Sequence, residues 1–255
     1  MDIPKIIFLI PYRDRMQHKI HFQVYMKYIM EDYNEKDYKI YFVHQCDNRN
    51  FNRGAMKNIG FIAIKNKYPN HYKNITLVFN DVDTMPYTKN LLNYQTNIGT
   101  IKHFFGFTFA LGGIVSITGY DFELIGGFPN LWAWGLEDNT LNNRAKKYNI
   151  KIDRSVFYKI LDPNILYYLD DKKKLISKEN TWRYKENNLD KFNSLKNVNY
   201  EFNNEYINVK SFNTLLDPTK DHYYKTESCS KLKCDRRFIP KDSKYKCITM
   251  NFINR

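Results

Sequence analysis

Three strand-sized apolar runs, Lys5 to Ile10, Lys39 to Cys46 and Ile75 to Phe79, punctuate the first eighty residues, and a helix-length stripe fills each gap between them. In the first gap Ile20, Val24 and Tyr28, with Tyr25 and Ile29, recur at helical spacing. In the second Met56, Ile59, Ala63 and Ile64 do so up to about Lys67, where Pro69 and Asn70 end the run. Strand, helix, strand, helix, strand closes in few ways, because crossovers between parallel strands are right-handed and leave helices on the sheet faces. The pattern predicts an α/β protein with a mostly parallel central sheet flanked by helices. Gly112 and Gly113 then precede a further short segment, Ile114 to Thr118, and a brief helix through Leu124.

A chain of 255 residues with 43% hydrophobic and 16% aromatic residues can bury a full core and is not a disordered one. Past Asp171 the pattern turns irregular and rich in Asn and Lys. We therefore expect a main domain over 1–175 and an α+β elaboration over 176–255 packed on it. No apolar run approaches the ~18 residues of a bilayer span, and Ile6 to Ile10 is too short for a signal peptide. The expectation is a cytoplasmic chain with no membrane span. Cys46, Cys229, Cys234 and Cys247 lack zinc-site spacing, and reduced thiols are expected. The net charge of +13 would suit an anionic partner, yet no run of Lys or Arg exceeds the three at Lys172 to Lys174. A basic nucleic-acid-binding module is thus an alternative, but no helix-turn-helix or stacking pattern supports it.

Ligands of such sheets bind beyond the carboxyl ends of the strands, and three polar clusters fall there. Pro11-Tyr12-Arg13-Asp14-Arg15 follows the first strand; its guanidinium groups suit phosphates and Tyr12 could stack on a base. Phe51-Asn52-Arg53-Gly54 opens the second helix, where an aromatic and an Arg could hold a nucleoside or merely start the helix. Asp81-Val82-Asp83 ends the third strand. Two carboxylates one residue apart can bind a divalent cation that bridges pyrophosphate oxygens, although Asp-rich loops are also common structural features.

Downstream, Gly126 to Arg144 carries Trp132 and Trp134 in a Gly-flanked loop, followed at once by Glu137 and Asp138. Leu141, Ala145 and Tyr148 recur at helical spacing, which places the acids at a helix start, where its dipole favours them. A large aromatic in such a loop is a poor core element and a good platform for a sugar face. A carboxylate beside it can take a proton from a sugar hydroxyl or hold it by hydrogen bonds.

Taken in order, Ile-Pro-Tyr-Arg-Asp-Arg (10–15), Phe-Asn-Arg-Gly-Ala-Met-Lys-Asn-Ile-Gly-Phe (51–61), Asp-Val-Asp (81–83), Phe-Gly-Phe (105–107), Gly-Gly (112–113) and Gly-Phe-Pro-Asn-Leu-Trp-Ala-Trp-Gly-Leu-Glu-Asp (127–138) resemble the β-1,4-galactosyltransferase family, the inverting GT-A enzymes of glycosyltransferase family 7. The resemblance spans about residues 5–150. It implies a GT-A, Rossmann-like fold and metal-assisted transfer of a hexose or N-acetylhexosamine from a UDP-sugar to a hydroxyl of a glycan or glycoprotein. Pro11, Tyr12, Arg13, Arg15, Phe51, Arg53, Asp81, Val82, Gly113 and Trp134 would then line the donor site. Asp83 would ligate Mn²⁺ or Mg²⁺, Asp138 would be the catalytic base, and Glu137 with Trp134 would hold the acceptor.

The chain departs from the family pattern at four places. Asn139 and Thr140 stand where further acids are usual, and Leu136 replaces a glycine, which would stiffen the loop. Ala110 stands where the animal enzymes carry a tyrosine that restricts the donor, leaving room for an N-acetyl group. The family's metal-ligating His is missing from the matching region Ile165 to Asp171, where Asp170, Asp171 or the distant His222 would have to substitute. A metal-independent or inactive GT-A relative is therefore the enzyme alternative.

Overall fold

The computed structural model describes residues 2–168, 175–177, 190–220 and 223–225. Along the chain run β1 (Ile6–Tyr12), α1 (Met16–Ile29), β2 (Tyr38–Gln45), α2 (Arg53–Lys67), β3 (Thr76–Asn80), β4 (Thr84–Pro86), β5 (Thr100–Gly106), β6 (Ile114–Thr118), α3 (Gly119–Ile125), α4 (Glu137–Lys147), β7 (Lys151–Asp153), β8 (Tyr158–Lys159), β9 (Ile165–Tyr167), β10 (Leu175–Ser177), β11 (Lys196–Asn203), β12 (Tyr206–Asn213) and β13 (Tyr223–Lys225). The central sheet has the order β11-β12-β2-β1-β3-β6-β5-β7, with β8 also on β5. As expected, β1 pairs in parallel with β2 and β3, while β6 runs antiparallel between β3 and β5.

Every residue of β1 is buried, because both faces of the sheet are covered. Ile7 and Leu9 pack with Met56, Ile59, Ala63 and Ile64 of α2, which face inward as the spacing predicts. Ile6, Phe8 and Ile10 pack on the other face with α1. The stripe expected on α1 is corrected by the structure. Ile20, Val24 and Tyr28 are exposed; of that stripe Ile29 is buried, together with Lys19, Phe22 and Met26. The sequence of α1 holds two apolar stripes, and contact with Phe42 of β2 decides which one turns inward.

Within 176–255 the β11–β12 hairpin extends this sheet, while β10 and β13 pair with each other in a separate two-stranded sheet. The β11–β12 hairpin docks with Tyr206 to Val209 parallel to Phe42 to Gln45 of β2, and Ile207, Val209 and Phe212 are fully buried. Among the described residues no helix is long and apolar enough to cross a membrane. Cys46 is a free thiol; the other cysteines lie outside the described residues.

Candidate active site

Consecutive residues of one segment bring the acid clusters together. The Leu111 amide donates to the Asp138 carbonyl at 2.9 Å, and the Gly113 carbonyl accepts from the Asp81 amide at 3.0 Å. Gly112, between them, leaves the space that Asp138 fills: a Cβ there would lie 2.3 Å from Asp138 Oδ2. Gly113 has φ +74° and would drive a Cβ to 2.5 Å from the Phe105 carbonyl. Beneath them His103 is buried. Its Nδ1 accepts from Arg154 Nε at 3.0 Å, so Nε2–H is the donor to the carbonyls of Phe105 and Gly112, at 2.9 and 3.1 Å. Burial and the Arg154 charge press its pKa down to about 4, which keeps this support neutral.

On the donor side, Asn80 shapes the turn after β3, its Nδ2 donating to the carbonyls of Asp81 and Thr84 at 2.7 and 2.9 Å. The Asp83 carboxyl is pushed up to about 6 by burial and by Asp81, against the pull of Arg53 and Arg15. Val82 is buried. The Asp83 carbonyl accepts from the Tyr168 amide at 2.9 Å, and β9 pairs with β4 as Thr84↔Tyr167. Ile165 to Tyr168, the first part of the region named as the place of the family's histidine, therefore do run beside the Asp83 turn. Asp170, Asp171 and His222 lie outside the described residues.

Two half-buried carboxylates are hard oxygen donors, and a divalent ion of that class takes about six ligands. Among the described residues no group of three or more His, Cys, Asp or Glu side chains is placed to hold a metal ion. The Asp81–Asp83 pair fits a cation shared with a ligand's oxygens and water, and does not form a closed cage.

Pro11 is buried at the end of β1, and Tyr12 is only 6% exposed. The Tyr12 ring meets Phe42, His44 and Tyr206 edge-on, so it forms part of the floor of the site with little free face. Arg13 donates through Nη1 to the Arg49 carbonyl and through Nε to Asp14 at 3.3 Å. Arg15 precedes the first turn of α1, without a side-chain cap bond, and lies within electrostatic reach of Asp83.

At the start of α2, Asn52 caps the helix by accepting from the Ala55 amide at 2.8 Å. One turn apart, Arg53 and Lys57 then face the first turn of α4. Arg53 donates through Nε and Nη2 to Glu137 Oε1 at 3.0 and 2.7 Å, and Lys57 Nζ sits 3.0 Å from Asp138 Oδ1. Arg53 and Glu137, predicted for donor and acceptor, are thus joined to each other. Glu137 is 2% exposed, and the cations hold its carboxyl below the usual range despite burial. Asp138 is pushed up to about 6: burial, Glu137 and Asp81 outweigh Lys57 and Arg53.

The loop before α4 is held on both sides. The Phe51 carbonyl accepts from the Ala133 amide at 3.1 Å and the Leu175 carbonyl from the Trp134 amide at 2.9 Å. Ala133, Gly135 and Leu136 have φ of +68°, +120° and +70°. Leu136 adopts the conformation a glycine would take there. Trp132 corrects the reading of both tryptophans as platforms. It is 1% exposed, stacked on Phe212 at 5.4 Å and 14°, and its Nε1 donates to Thr214 Oγ1 at 2.8 Å. Trp134 is partly exposed. Sequence reasoning passed over Lys57, because only the packing of α2 on α4 sets it opposite an acid 81 positions away.

Residues 2–95 match the model for the N-terminal region of glycosyl transferase group 7, and residues 96–165 that for the N-terminal domain of galactosyltransferase. Bovine β-1,4-galactosyltransferase 1 is 30% identical over 159 residues, 59% of this chain and 38% of that protein. A xylosylprotein 4-β-galactosyltransferase of Caenorhabditis elegans is 26% identical over 159 residues, 59% of this chain and 53% of that one. The chain spans about two fifths to half the length of these curated relatives. A Drosophila β-1,4-galactosyltransferase 7 mutant, solved with manganese, UDP-Gal and xylobiose, shares the fold at a TM-score of 0.66 and 19% identity, over 86% of this chain and 97% of that one.

Proposed function

The chain belongs to the β-1,4-galactosyltransferase family, glycosyltransferase family 7, and on that premise we propose that it moves a hexose or N-acetylhexosamine from a UDP-sugar to a hydroxyl of a glycan or glycoprotein, with inversion. One observation supports the reading: Leu111 and Gly113, two residues apart, hydrogen-bond to the backbones of Asp138 and Asp81, and Asp81 lies within electrostatic reach of the Asp138 carboxyl.

Asp138 takes the proton of the acceptor hydroxyl at its carboxylate; a base near neutrality is effective when its pKa lies close to the working pH. Arg15, within electrostatic reach of Asp83, and Arg13 of the same loop would orient the diphosphate. Trp134 covers the sugar and excludes water. Asp83, with Asp81 beside it, would hold Mn²⁺ or Mg²⁺, and such an ion supplies charge neutralisation at the leaving diphosphate.

The test is a screen of UDP-sugars for thermal stabilisation with and without Mn²⁺, followed by transfer assays. A donor at 100 times its Kd should add ~2.7 kcal/mol. No stabilisation by UDP or any UDP-sugar would end the proposal. The missing histidine between Ile165 and Asp171 supports a second reading, a metal-independent transferase. Donor turnover unchanged by EDTA would select it.

A further inference from the structure

Lys57 stands on the interior side of α2, 1% exposed, where an apolar side chain would fill the same space. Its Nζ lies 3.0 Å from Asp138 Oδ1 and 4.6 Å from the centre of the Phe128 ring. A buried ion pair is a poor stabilising device, since the desolvation of both ions offsets their attraction. Its presence at this place therefore calls for another reason. Oδ1 is taken by Lys57, and Oδ2 is the oxygen lying over Gly112, which is kept free of a Cβ for it.

Resting on the function proposed above, we infer that Lys57 is a positioning residue for Asp138: it pins Oδ1 and leaves Oδ2, beside Gly112, as the oxygen that receives the acceptor's proton. Its charge has a second effect. The groups facing Asp138 are Lys57 and Arg53 from α2, Glu137 from α4 itself and Asp81 from the end of β3. The two acids and burial favour the protonated form, and Lys57 is foremost among the groups opposing them. Without Lys57 the base would stay protonated, and idle, to higher pH.

The experiment titrates Asp138 by carboxyl ¹³C NMR in the substrate-free protein, with Asp138→Asn used to assign the resonance. In Lys57→Met the titration should move up by ~1–3 pH units, and in Lys57→Arg it should return toward the wild-type position. The acid limb of kcat/KM for sugar transfer should move with it. A Lys57→Met titration at the wild-type position, or a Lys57→Arg titration displaced as far as that of Lys57→Met, would overturn the inference. So would an acid limb that stays put while the titration moves. If Lys57→Met loses its cooperative thermal transition, Lys57→Gln, neutral but still able to donate to Oδ1, is read against Lys57→Arg in the same way. The titration needs no donor, so it separates the two ideas: a wild-type protein that binds no UDP-sugar refutes the proposed function, whereas an unmoved titration refutes the role of Lys57.

Discussion

Asp138 is ionisable under opposing pressures, and the balance sets when it can work. Burial, Glu137 and Asp81 raise its pKa, and Lys57 and Arg53 lower it, leaving it at about 6. A base must be deprotonated, so kcat/KM should rise tenfold per pH unit below about 6 and level off above it. A pH–rate profile flat from 5 to 8 would dissociate Asp138 from catalysis. Asp138→Asn should lower kcat by ~10²–10⁴-fold while UDP binding persists; a loss under tenfold in folded protein would say the same. The neighbouring pair makes a prediction about stability. Arg53→Ala strands the Glu137 carboxylate, 2% exposed, and should cost ~3–5 kcal/mol in denaturant unfolding. Glu137→Gln added to it should return part of that loss, because the unpaired charge is then gone. At this scale the acids were legible, since carboxylates at strand ends and helix starts announce themselves. Of their cations Arg53 was named, though for the nucleotide, and Lys57 was not. Lys57 reads as an ordinary surface lysine until the packing of α2 against the Phe128 segment buries it.

Between elements, the site depends on how closely α2 approaches the loop that follows α3. A Cβ on Gly54 would fall 2.0 Å from the Pro129 carbonyl, a backbone atom that cannot swing aside. Asn58 closes the same contact, donating to the Phe128 carbonyl and accepting from the Phe128 amide at 2.8 and 2.9 Å. Gly54→Ala should therefore cost ~1–3 kcal/mol by overpacking, seen as a lower Tm. It should also weaken UDP-sugar turnover more than UDP binding, because it tilts Arg53 and Lys57 away from the α4 acids. An alanine variant as stable as wild type would mean that the two elements do not meet as described. The tryptophan loop shows why the element scale was only half legible. Two tryptophans two residues apart have equal claims on solvent in the sequence. Phe212, eighty positions away, stacks on one of them and removes it from the cleft. The wrong stripe on α1 has the same origin: periodicity finds apolar faces, and only the sheet selects among them.

At the scale of the molecule, the alternating first eighty residues were enough to predict the sheet, whereas the strands that extend it beyond β2 could not be read from a segment without clear periodicity. Both family models end by residue 165, which invites the view that the remainder is dispensable. The packing argues against that view. Ile207, Val209 and Phe212 are fully buried, β12 occupies the β2 edge from Phe42 to Gln45, and Phe212 with Arg49 encloses Trp132. Burying three such side chains contributes ~1.5–3 kcal/mol each, and a domain of this kind has only ~5–15 kcal/mol in total. Removing them also bares an unpaired, apolar sheet edge, which promotes aggregation. A chain cut after residue 175 should thus fail to give a soluble, cooperatively melting protein. Changing Phe212→Ala in the full chain should lower the unfolding free energy by ~3–5 kcal/mol and loosen the tryptophan loop with it. A truncated chain that melts cooperatively and still binds UDP would show instead that the hairpin is an accessory to a self-sufficient sheet.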